Sequence, residues 1–105
     1  MRRMKVVGLT DELHDAAEEQ CPSGFRAWRM EVEKCTWRSW EDLEMRFPKA
    51  SRVDAEETHF PLHANGVGVL AKVFFPMNLL ILLRIAPAPV GMRPLPRRKI
   101  SLIQN

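Results

Sequence analysis

The stretch from Ala27 to Ser51 constrains the fold of this chain most, because it contains all three tryptophans and one of the two cysteines. Large apolar groups recur in and just before it at steps of three or four residues: Phe25, Trp28, Val32 and Cys35. Residues at this spacing lie on one face of a helix. A face this apolar must be buried, so the rest of the chain has to supply a surface for it.

A second helix is predicted to begin after Ser39. Serine is a preferred N-cap residue, and Glu41 and Asp42 place negative charge in the first turn, with Asp42 positioned as in a capping box. Pro48 ends this helix, whose buried stripe is Trp40, Leu43 and Phe47. The two helices form an αα-hairpin whose tryptophans are expected to meet the same hydrophobic surface.

One more helix is predicted near the N-terminus. Thr10 is a suitable cap for a helix over residues 11–20, whose first turn is acidic and whose apolar stripe is thin. Ser23 is a suitable cap for the helix that carries Trp28. The thin stripe places the first helix at the periphery of the molecule.

Four apolar runs predict strands: 4–7, 58–62, 67–75 and 79–85. Asn65-Gly66 is a hairpin signal, and Pro61 indicates a strand that lies at an edge or ends early. The last run is apolar on both sides up to Arg84, which is typical of a central strand covered on both faces. Helices followed by consecutive strands predict an α+β fold, with N-terminal helices on a small, mainly antiparallel sheet.

The length of 105 residues suits a single domain, which we expect to span residues 1–85. The remainder, 86–105, is rich in proline and arginine and is expected to form an extended arm, because proline cannot continue a ladder.

Charge is distributed unevenly along the chain. Residues 1–51 contain nine Lys/Arg and ten Asp/Glu, whereas 52–105 contain seven Lys/Arg and three acids, none of them after Glu57. A basic second half indicates a polyanionic partner, nucleic acid before membrane. A chance excess on a small protein is the alternative interpretation.

The cysteines and the N-terminal sequence indicate the compartment of the protein and its cofactor content. Cys21 and Cys35 match no metal-ligand spacing, and the N-terminus has no long apolar core of the secretory kind. We therefore expect a cytoplasmic protein with reduced thiols and with neither a metal ion nor another cofactor. The most apolar stretch, 67–85, is interrupted by Lys72 and Pro76, so two strands explain it better than a membrane span.

The helical half resembles a known family, on these residues: Trp28, Val32, Trp37, Leu43, Phe47-Pro48 and Ala50-Ser51. Their order is similar to that in HigB-type toxins, the ribosome-dependent mRNA interferases of type II toxin–antitoxin systems within the RelE-like group. The resemblance implies a RelE-like fold and an endoribonuclease that acts on mRNA on the ribosome. It also implies a small helix-turn-helix antitoxin of the HigA kind, through which the pair binds operator DNA.

The resemblance implies two phosphate-binding residues. Lys72 stands in mid-strand where the family usually has an arginine, and Arg84 lies near the end of the next strand where it often has another. Such cations would hold the charge that develops on phosphate when RNA is cut through its 2′-hydroxyl. Two alternatives stay open: Lys72 as a snorkelling residue on a half-buried strand, and Arg84 as the point where its strand re-enters water.

Other candidates are weaker. His63 precedes the predicted hairpin turn, and as a histidine it is a candidate for proton transfer, although a loop histidine is more often only solvated. The basic residues of the arm are candidates for RNA binding: Arg93, Arg97, Arg98 and Lys99.

The C-terminal end departs from the family pattern. A Gly-Thr-His segment and a following tyrosine are expected there, but residues 86–90 read Ala-Pro-Ala-Pro-Val and the chain has no tyrosine. A reading-frame change late in the gene is one explanation. The departure leaves three interpretations open: an active mRNA interferase, a catalytically inactive relative that binds an antitoxin or RNA, and an unrelated small α+β domain.

Overall fold

A computed structural model describes residues 3–88 of the chain. Its elements are β1 (Lys5–Val7), α1 (Asp11–Gln20), α2 (Pro22–Lys34), α3 (Trp40–Arg46), β2 (Ser51–Arg52), β3 (Glu57–Pro61), β4 (Val67–Phe74) and β5 (Leu79–Pro87). Three helices pack on a five-stranded, mostly antiparallel sheet, which confirms the predicted α+β class.

The helices begin for local reasons. The hydroxyl of Thr10 accepts an N–H of the first turn of α1 at 3.1 Å, and that of Ser39 accepts the N–H of Asp42 in α3 at 3.5 Å, as predicted. Helix α2 begins at Pro22 instead of after the predicted cap Ser23. Proline suits the first helical position, because its fixed φ is helical and no partner is needed there for a backbone N–H.

The strand order in the sheet is β1-β5-β4-β3-β2, with β1 parallel to β5 and all other neighbours antiparallel. A 3₁₀ turn, Phe75–Met77, and Asn78 in a left-handed conformation (φ 51°) connect β4 to β5. Strand β5 continues two residues past the predicted end, and Pro87 still pairs with Val67. Proline is tolerated there because it is the last residue of the strand.

Strand β2 was not predicted. Its two residues, Ser51 and Arg52, pair with His59 and Thr58. A strand this short shows no alternation of apolar and polar residues, so the sequence carries no signal for it.

One face of the sheet packs on the helices. The core-facing sheet residues are Phe60, Val69, Ala71, Val73, Leu80 and Leu82, and they meet the buried residues Leu13, Ala17, Phe25, Trp28, Val32, Trp37 and Leu43 of the helical half. Phe60 lies at the centre, with its ring centroid 5.1 Å from that of Trp28, 6.5 Å from Trp37 and 5.5 Å from Phe47. The tryptophan-bearing hairpin and the sheet therefore share one aromatic core, as predicted.

The other face of the sheet carries no described helix. Strand β5 was predicted to be covered on both faces, but within residues 3–88 the helices cover only one face of it. On the second face, Leu79 and Ile81 are half-buried and Arg84 is exposed, because only neighbouring strands screen them. Within the described residues, no helix is long and apolar enough to cross a membrane.

Candidate functional site on the open face of the sheet

Side chains that alternate with the core-facing ones form the second face, here called the open face. It consists of Lys5, Val7, Glu57, His59, Leu70, Lys72, Phe74, Leu79, Ile81 and Arg84. None of them belongs to the hydrophobic core cluster. Two of the three predicted catalytic candidates therefore lie on one surface.

A β-bulge places Arg84 on this face. Leu70 pairs with Arg84 while the next residue, Ala71, pairs with Leu82, so Leu83 is the extra residue of β5. In a regular strand, Leu82 and Arg84 would face the same side of the sheet, because side chains alternate with a period of two; the extra residue puts them on opposite sides. The bulge thus lets Leu82 fill the core while Arg84 stands beside Leu70 on the open face.

Lys72 and Arg84 are close neighbours. Lys72 stands two residues from Leu70 on β4, and Leu70 is the direct partner of Arg84. Positions in this diagonal relation are about 7–8 Å apart. Within residues 3–88, neither cation makes an ion pair or a side-chain hydrogen bond. Both remain available to an anion, Arg84 as an exposed side chain and Lys72 as a half-buried one.

Acidic groups lie close to Lys72. Glu57 is its direct partner on β3. In the preceding loop, the Asp54 carboxylate accepts the N–H groups of Glu56 and Glu57, both at 2.9 Å. These two hydrogen bonds, and to a smaller extent the charge of Lys72, hold the pKa of Asp54 below its usual range. Lys72 therefore shares its surroundings with carboxylates.

Arg84 has a different neighbourhood. Its row of the sheet continues through Leu70 to His59 and contains no acid. On its other side lies a cavity of about 230 Å³ between α1 and β5, whose lining includes Thr10, Glu12 and Arg84 itself. Arg84 is thus the less compensated of the two cations on the open face, and Glu12 is the acid that lines the cavity with it.

His59 is a buried residue of this face that was not selected from the sequence. It is 2% exposed, and its Nε2 lies 2.9 Å from the carbonyl oxygen of Ala86. The bond joins β3 to the end of β5 across Gly68, the one residue of β4 between them that has no side chain. The alternation of side chains along the strand could have indicated the face of His59, because this residue must point away from the core if Phe60 points into it.

His63 lies away from both cations. It is exposed in the turn between β3 and β4, where its Nδ1 accepts the N–H of Asn65 at 3.2 Å. Its backbone N–H bonds to Val67, five residues along β4 from Lys72, a separation of about 17 Å. The structure therefore brings Lys72 and Arg84 together but does not bring His63 to them.

The predicted RNA-binding residues of the arm, Arg93, Arg97, Arg98 and Lys99, lie outside the described residues.

A larger cavity of about 660 Å³ lies between α2 and α3 and is lined by Cys35, Trp37 and Met45 among others. Burial raises the pKa of the Cys35 thiol, so it is not an activated nucleophile. Residues 3–88 contain no cluster of His, Cys, Asp or Glu that could hold a metal ion.

The chain matches no family model, and no relative is found among curated proteins. The function of the chain is therefore inferred from the geometry of the open face.

Proposed function

We propose that this protein is a toxin of the HigB type that binds mRNA on the ribosome through the open face of its sheet. The observation that carries the proposal is the placement of Lys72 and Arg84 as diagonal neighbours on a face free of described helices. Two cations at that spacing suit successive phosphates of one RNA strand. The α+β arrangement of helices on one side of the sheet supports the same proposal.

The partners follow from the same proposal. A cytoplasmic location gives the protein access to ribosomes, and a HigA-like helix-turn-helix antitoxin would hold it and link it to operator DNA. The basic arm residues, from Arg93 to Lys99, would extend the contact with RNA. Neither a metal ion nor another cofactor is needed to bind phosphate in this way.

A second candidate is a relative that binds RNA or an antitoxin without cutting RNA. It is favoured by the positions of two histidines: His59 is buried and bonded to Ala86, and His63 is remote from the cations. The His59 ring is buried and engaged with Ala86 and the His63 ring is distant, so neither is available beside the two cations as a general base would be. The inactive form keeps the fold and the phosphate contacts but lacks the proton transfers of cleavage.

Induced expression tests the proposal. We expect growth arrest that the neighbouring gene relieves, with Lys72→Ala and Arg84→Ala each weakening both the arrest and RNA binding by the full chain. Lys49→Ala, an exposed lysine on the helical half, is the matched control and should change neither. Cut mRNA at translating ribosomes indicates the active toxin, whereas binding without cutting indicates the second candidate. Unchanged RNA binding in both open-face variants would contradict the proposal.

A further inference from the structure

We infer that Phe74 is a stacking platform for one unpaired base of single-stranded RNA. The inference rests on the proposed function and narrows it, because stacking requires a base that is free of its complement. Aromatic side chains on an uncovered sheet face are a recurrent way of holding such bases.

The position of Phe74 sets it apart from the neighbouring aromatic residues. It follows the core residue Val73 and precedes Phe75, which packs against the core, and it belongs to neither group. By alternation its ring lies on the open face. Within residues 3–88 it makes no ring–ring or cation–ring contact, whereas Phe25, Phe47 and Phe60 all do.

Cations lie on both sides of Phe74. Lys72 is two residues away on the same strand and face, a separation of about 7 Å. Across the sheet, Phe74 pairs with Leu79, and Leu79 pairs with the exposed Lys5. A base on the ring would therefore have its flanking phosphates within the field of two lysines. This combination of an aromatic face and flanking positive charge is what binds single strands.

The alternative role of Phe74 is structural. A phenylalanine on a strand stabilises its cross-strand neighbour, here Leu79, and needs no ligand to do so. A second copy of the chain could also cover the apolar part of this face. RNA is favoured over a second copy because Lys5, Lys72 and Arg84 outnumber the single acid, Glu57, and would repel their counterparts.

Binding of a short oligoadenylate to the full chain tests the inference. Phe74→Leu should weaken binding about 5- to 150-fold, the range for the loss of one base–aromatic stack, and Phe74→Trp should retain it. The salt dependence should stay unchanged in Phe74→Leu, because the phosphate contacts remain. Adenine replaced by 2-aminopurine should lose fluorescence on binding to the wild type and keep it with Phe74→Leu.

Controls separate the possible outcomes. Met30→Ala, an exposed apolar residue on α2, should bind as the wild type does, and an RNA duplex of the same sequence should not distinguish Phe74→Leu from the wild type. If Lys72→Ala and Arg84→Ala weaken binding but Phe74→Leu does not, the stacking inference is wrong and the proposed function stands. If none of the three variants changes binding, both fail. Dimers of the wild type that Phe74→Leu dissociates, with RNA binding unchanged, would also overturn the inference.

Discussion

The two faces of the sheet differ in their side chains and in what covers them. On the core face, Phe60 makes ring contacts with Trp28, Trp37 and Phe47. The side chains of this face stabilise the fold because they are buried away from water. The open face mixes apolar residues with Lys72, Arg84 and Glu57, and no described helix covers it. The same alternation produces both, so a residue's face decides whether it stabilises the fold or is available to a partner.

The largest expected difference between the faces is in stability. Phe60→Ala should lower the free energy of unfolding by about 3–5 kcal/mol, because it removes the 1%-exposed ring at the centre of the aromatic core. Phe74→Ala, the matched change on the open face, should cost no more than about 1 kcal/mol, the scale of one cross-strand pair. Urea denaturation of both variants measures the difference. Equal losses would mean that the open face is packed as tightly as the core.

Much of this division could be predicted from the sequence, because its causes are local. The caps at Thr10 and Ser39 and the turn at Asn65-Gly66 depend on a few adjacent residues. The helical spacing of Trp28 and Val32 placed them in the core before any partner was known.

What could not be predicted depends on pairing between distant segments. Nothing near Leu83 marks it as a bulge, yet the bulge decides which residue of β4 stands beside Arg84. The bond of His59 to Ala86 joins residues 27 positions apart, and the acids around Lys72 come from a loop and a neighbouring strand. Alternation along a strand could therefore indicate the face on which a candidate residue lies, but not which residues surround it there.

A second expected effect concerns Gly68, where β4 passes close to β3. A Cβ at this position would overlap the carbonyl group of Phe60, so Gly68→Ala must push the two strands apart. We expect a loss of about 1–3 kcal/mol in the free energy of unfolding. Gly66→Asn is the comparison: no atom lies within 4 Å of a Cβ added there, so its cost is only the strain of a φ of 94°, which asparagine tolerates better than most residues. A loss at Gly66 as large as that in Gly68→Ala would show that close approach of the strands is not the dominant cost.

A smaller effect is expected from His59, which belongs to the open face but is buried. His59→Leu keeps the volume and removes the bond to Ala86, so it should cost about 0.5–1.5 kcal/mol. Amide hydrogen exchange should become faster at the end of β5 and stay unchanged in β1. His63→Leu, in the exposed turn, should stay within about 0.5 kcal/mol of the wild type. Unchanged exchange at Ile85 and Ala86 in His59→Leu would show that the ladder alone holds the strand end.

The smallest expected effect is electrostatic and tests whether Lys72 faces the loop that precedes β3. The pKa of Asp54 is lowered from its ordinary value of 3.8, first by hydrogen bonds from Glu56 and Glu57 and last by Lys72. Lys72→Gln should therefore raise the pKa of Asp54, but by less than the two hydrogen bonds lower it, as NMR titration of the carboxyl carbon will show. Lys49→Gln should leave it unchanged.

The sign of the pH dependence follows from the direction of that shift. Because the carboxyl is more acidic in the folded state, its contribution to stability is fully present above the pKa of unfolded Asp and is lost as pH falls through the folded pKa. Lys72→Gln should narrow the pH range over which the stability contribution of Asp54 is lost. Asp54→Asn should abolish that contribution. An unaltered Asp54 titration in Lys72→Gln would mean that the lysine points away from the Asp54 carboxylate. Glu57, its partner on β3, would then be the one acid left to compensate its charge, and the difference between Lys72 and Arg84 would be smaller.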